Sequence, residues 1–139
     1  MLARNTDTQR ENSMTDYNKE LISFLDKSPT AFHAVANIKA RLETEGYTEL
    51  AESAKWELSE GGKYFVVRND SSIIAFRTPI FDFTGFMISA AHSDSPAFKV
   101  KENPEIVENG YVKLNVEGYG GMLMAPWLDR PLSVAGRII

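Results

Sequence analysis

The stretch "ISAAHSDSPAFKVK", Ile88 to Lys101, passes from an apolar run into a histidine, two serines, an aspartate and a proline. The apolar part begins at Phe86 and continues to Ala91 with no polar alternation, the pattern of a strand covered on both faces. Such a strand needs helices flanking its sheet, so the run predicts an α/β architecture. His92 then stands where the run ends, and open α/β sheets gather ligands outside the carboxyl ends of their strands. Pro96 turns the chain away from that position.

If the backbone stays extended through Ser93, His92 and Asp94 point to the same side. The carboxylate can then orient an imidazole whose other nitrogen faces a metal. The 139 residues contain no cysteine and two histidines, so any metal must use His, Asp or Glu. Spacing alone leaves a second reading open, because strand-to-turn segments are rich in Ser, Asp and Pro without any ligand. A serine-hydrolase relay fails on geometry: the residue types of "HSDS" are adjacent in sequence, and no G-x-S-x-G elbow is present.

Outward from this stretch, residues 1–13 are polar and aperiodic and read as a disordered leader, with Met14 an alternative start. Tyr17, Leu21, Phe24 and Leu25 recur at helical spacing behind Thr15 and Asp16, predicting a short helix to about Lys27. Pro29 disfavours helical geometry at Ser28, and Thr30 caps a second predicted helix that carries Val35, Ile38 and Leu42 on one face and ends at Gly46. His33 lies in its first turn, with no acidic residue or second histidine at helical spacing, and reads as a packing residue. Two apolar runs, Tyr64 to Val67 and Ile73 to Phe76, flank Asn-Asp-Ser-Ser and predict an antiparallel hairpin.

After Pro96 the texture changes to the short pieces "AFKVK", "YVKLNVEGY" and "SVAGRII", separated by glycines, which read as strands of a second, β-rich unit. The expected division is thus 1–13, 14–96 and 97–139. The glycines of "EGYGGMLMAPWLDRPLSVAGR" fit no phosphate-binding spacing. Met124, Trp127 and Leu128 read as packing or interface residues, and Asp129 with Arg130 as a local ion pair or a substrate-facing pair.

The content is 43% hydrophobic and 24% charged, ordinary for a globular protein, and the formal charge is −4. Its basic residues are scattered singly, which argues against a nucleic-acid partner. No window approaches a membrane span, and the amino terminus lacks an apolar signal core. Together with the absence of cysteine, this leads to the expectation of a cytoplasmic protein.

Four segments taken together resemble the M18 family of metallo-aminopeptidases, the aspartyl aminopeptidase group: "FLDKSPTAFHAVANIKARLETEGYTEL", "GGKYFVVRNDSSIIAF", "AAHSDSPAFKVK" and "YGGMLMAPWLDRPLSVAGRII". They stand in the family's order and cover nearly all of Tyr17 to Ile139. The resemblance implies the amino-terminal portion of an aminopeptidase that releases amino-terminal, preferably acidic, residues from peptides by metal-activated water. It implies two zinc ions in an α/β exopeptidase domain, and an inserted β-rich domain that mediates dimerisation within a larger homo-oligomer. His92 matches the family's first zinc-ligating histidine, and Asp94 the aspartate that supports it.

The other ligands and the general-base glutamate of the family lie downstream of the segments matched here. A catalytic zinc site takes about three protein ligands and a water, so these 139 residues are expected to be inactive alone. The alternative expectation is a noncatalytic interaction or assembly module that keeps the family's amino-terminal fold. A third reading, a metal-independent hydrolase using Ser95, lacks a nucleophile elbow. Trp127, Leu128 and the "VAGRII" run are expected to be partly exposed.

Overall fold

A computed structural model describes residues 16–139; the leader over 1–13, Met14 and the capping candidate Thr15 lie outside them. The chain divides into a first unit that reaches to Ser93 and is rejoined by Gly136–Ile139, and a second unit spanning Asp94–Ala135.

In the first unit, helix α1 occupies residues 16–26 and α2 spans Ala31–Thr44. The break between them falls at Ser28 and Pro29, as the proline dictates. Thr30 is extended and its hydroxyl accepts the His33 backbone N–H, so it is the cap the sequence predicts. The far end of α2 closes with Tyr47 N–H donating to Leu42 C=O and Gly46 N–H to Glu43 C=O, at a glycine with φ of +77°. A side chain at Gly46 would be strained in that left-handed conformation.

Three strands follow: β1 (Thr48–Glu49), β2 (Lys63–Arg68) and β3 (Ser72–Arg77), in the order β1-β2-β3. β1 runs parallel to β2, with Thr48 opposite Tyr64, and β2 runs antiparallel to β3, with Phe65 opposite Ala75. The predicted hairpin is present. Its turn places Asn69 and Asp70 at φ of 53° and 55°, a left-handed pair that Asn and Asp tolerate better than other side chains. α2 packs on β1 and β3, and the buried core consists of Ala34 and Val35 from the helix with Tyr64 and Phe65 from the central strand. Phe76 extends it, 5.7 Å from the Tyr64 ring and 6.0 Å from Trp56.

The second unit is built on a ribbon of β4 (Ala97–Glu108) and β5 (Tyr111–Tyr119), joined by a two-residue Asn109-Gly110 turn with both residues at positive φ. The ladder is interrupted between Val100 and Glu105, the stretch that holds Pro104, which has no N–H to donate. A short helix α3, Ala125–Leu128, carries Trp127 edge-on to Phe98 at 5.4 Å.

The helices and mixed sheet match the expected α/β class, with two corrections. Residues 86–91 form no strand: Phe86, Met87 and Ile88 are 80%, 104% and 83% exposed. A strand exists through its hydrogen-bonded neighbours, and among the described residues β1, β2 and β3 pair only with one another. Apolar content qualified the run for a sheet without supplying an edge to join. The piece "SVAGRII" is likewise not a strand, and Val134, Ile138 and Ile139 are exposed for the same reason.

Candidate metal centre

His92 ends an irregular segment of the first unit, and its side chain is exposed. The next residue is anchored: Ser93 Oγ donates to the Ser71 carbonyl at 2.9 Å. Ser71 follows the left-handed pair of the β2–β3 turn, so a conformation set by Asn69 and Asp70 locates the residue beside His92. The same turn is held from the other end of the chain. Arg137 donates to the Asn69 carbonyl at 3.2 Å and the Asp70 carboxylate at 3.0 Å, with its guanidinium 4.7 Å from the Phe32 ring centre. Nothing in local sequence pattern signals these contacts.

Asp94 opens the second unit and is half-buried. Its Oδ2 accepts a hydrogen bond from the Tyr119 hydroxyl at 2.7 Å. That bond, reinforced by the carboxylate's charge, holds the Tyr119 phenol above its ordinary pKa. Tyr119 was not singled out in the sequence. It ends a strand twenty-five residues from Asp94, and only the β4–β5 pairing brings it back.

The division between units falls between Ser93 and Asp94, so the two candidate residues are positioned by different elements. His33 is engaged elsewhere, its Nδ1 lying 2.8 Å from the Thr30 hydroxyl. Asp129 accepts from Arg130 Nε at 2.8 Å, the local ion pair among the two readings of that dipeptide. Imidazole and carboxylate are suitable zinc donors, yet no group of three or more metal-ligating side chains is gathered among the described residues. The described residues do not by themselves gather the donors of a zinc site.

Residues 24–139 match the family described as aminopeptidase I zinc metalloprotease (M18). A probable M18 family aminopeptidase 2 of Clostridium acetobutylicum is 51% identical over 126 residues, covering 88% of this chain and 29% of that relative. The chain thus spans less than a third of the length of such relatives. Among solved structures, Chaetomium thermophilum mApe1 superposes with a TM-score of 0.70 at 35% identity, covering 83% of this chain and 27% of its own. The mApe1 dodecamer of S. cerevisiae superposes with a TM-score of 0.66 at 26% identity, over 85% of this chain and 28% of its own.

Proposed function

The chain belongs to the M18 family of zinc metalloproteases, and from that premise we propose that it is the amino-terminal part of an aminopeptidase, carrying one zinc ligand, His92, and its supporting carboxylate, Asp94. The observation that carries this reading is the match across residues 24–139, which includes the H-x-D triplet. The substrate is a peptide with a free amino terminus, preferably acidic, as the resemblance implies, and the complete site holds two zinc ions. The second unit is the start of a dimerisation domain; the dodecameric state of the S. cerevisiae neighbour supports assembly into a homo-oligomer. No described helix is long and apolar enough to cross a membrane. A cytoplasmic setting is supported by the cysteine-free composition.

His92 and Asp94 are too few donors to hold a catalytic zinc, so the 139 residues alone do not turn over substrate. In this reading His92 offers an imidazole nitrogen and Asp94 restrains its orientation.

The test combines zinc titration calorimetry with hydrolysis of a peptide bearing an amino-terminal Asp or Glu, in zinc or cobalt. Expected are weak zinc binding that His92→Ala removes, and no hydrolysis by either protein. Zinc binding unaffected by His92→Ala would remove His92 from the ligand set. Hydrolysis lost in His92→Ala would keep the ligand and disprove inactivity, because other subunits would then complete the site.

The exposed apolar segment from Ile80 to Ile88 favours a second reading, a noncatalytic module that binds a partner through that surface. This reading predicts partner binding unchanged by His92→Ala.

A further inference from the structure

We infer that Tyr119 is a positioning residue for the proposed aminopeptidase site, fixing the carboxylate of Asp94. The inference rests on the assignment of Asp94 above, and adds a residue to which neither the family match nor the H-x-D spacing points.

The Tyr119 hydroxyl donates to Asp94 Oδ2 at 2.7 Å, a distance typical of a charge-assisted bond with an ionised acceptor. A single hydrogen bond from a mobile side chain would restrain little, but Tyr119 is not mobile in its backbone. It is the cross-strand partner of Ala97, the first pair at the open end of a ladder that continues through Phe98 opposite Gly118 and Lys99 opposite Glu117. Asp94 lies three residues before Ala97, so the donor and acceptor are tied to the same end of one paired ribbon, on its two facing strands.

The chain beyond Tyr119 tightens this end. Gly120 has φ of +75°, and a Cβ there would lie 3.5 Å from Pro96. Glycine permits the left-handed turn while the backbone passes close to the proline. Pro96, with its fixed φ, in turn limits the freedom of the Asp94-Ser95 segment. Strand pairing, the Gly120 turn and the Tyr119 bond therefore act on the same short segment, and the phenol is the only one of the three that reaches the functional group. A carboxylate with one oxygen so held loses rotation about its side-chain bonds.

The experiment uses the whole chain without added metal, in four variants: Tyr119→Phe, Asp94→Asn, the two combined, and the control Tyr111→Phe on the same strand. Carbon-13 NMR reads the Asp94 carboxyl and the Tyr119 phenolic carbon, and amide exchange reads residues 97 and 119. Tyr119→Phe is expected to move the Asp94 carboxyl resonance and speed exchange at the ribbon end about tenfold. Asp94→Asn is expected to move the Tyr119 resonance, and the double variant to exchange no faster than either single one.

Tyr111→Phe should do none of this. Each variant reads the bond from one end, so loss of fold in one leaves the other decisive. An unchanged Asp94 resonance in Tyr119→Phe, or an unchanged Tyr119 resonance in Asp94→Asn, would overturn the inference. Failure of the zinc reading would appear instead in the His92→Ala titration and leave these resonances as described.

Discussion

The Thr30 hydroxyl lies 2.8 Å from His33 Nδ1 and also accepts the His33 backbone N–H, so one side chain caps α2 and engages its first-turn histidine. Removing the hydroxyl leaves the N–H without its capping acceptor. Thr30→Ala should therefore destabilise the first unit by about 1 kcal/mol, measured as a lower urea midpoint with unchanged slope. An unchanged midpoint would show that water caps the helix equally well.

Phe65 is wholly buried at the centre of the sheet, where few other residues share the core. Truncation removes the largest fully buried side chain among the described residues, and the small unit has little stability to lose. Phe65→Ala should cost about 3–5 kcal/mol and abolish the cooperative thermal transition of the first unit. A transition that persists within a few degrees of the parent would place the stabilising core elsewhere.

Arg68 hydrogen-bonds Glu52 and, with its positive charge, holds that carboxyl below the ordinary carboxylate pKa. A pKa lowered in the folded state gives a contribution complete above the unfolded value and lost as pH falls through the folded one. The effect on stability is small, because both side chains are solvated. The measurable outcome is a Glu52 carboxyl that titrates at lower pH than in Arg68→Ala. Identical midpoints in the two proteins would rule out the pairing in solution.

Phe86, Met87 and Ile88 expose nearly their whole side chains in one continuous run. The chain should bind a hydrophobic dye and self-associate at high concentration, and Phe86→Asp with Ile88→Asp should reduce both. Stability should change by less than about 0.5 kcal/mol, since neither residue contributes to the core. Dye binding undiminished by the double substitution would point to another surface, such as that around Leu128 and Val134.

Within the candidate site, His92 and Asp94 were legible because a lone histidine at the end of an apolar run, two residues before a carboxylate, is unusual in so histidine-poor a chain. What holds them was not legible. Ser93 is fastened to Ser71 and Asp94 to Tyr119, partners separated by 22 and 25 residues. Hydroxyls and tyrosines at such distances carry no periodicity, and any of several could have served.

The sequence by itself determined what short-range chemistry controls. Pro29 separates α1 from α2, Thr30 and Gly46 bound α2, and Asn69-Asp70 and Asn109-Gly110 make the two hairpin turns. In each case the decisive atoms lie within a few residues of one another, so composition and spacing suffice. Only the tertiary structure decided that residues 86–91 and 133–139 remain unpaired as strands, that Pro104 interrupts a long β4, and that Tyr119 meets Asp94. A strand is defined by its neighbour across the ladder, and a side-chain bond by the element that brings its partner back. Both depend on residues far apart in the chain, where local pattern carries no information.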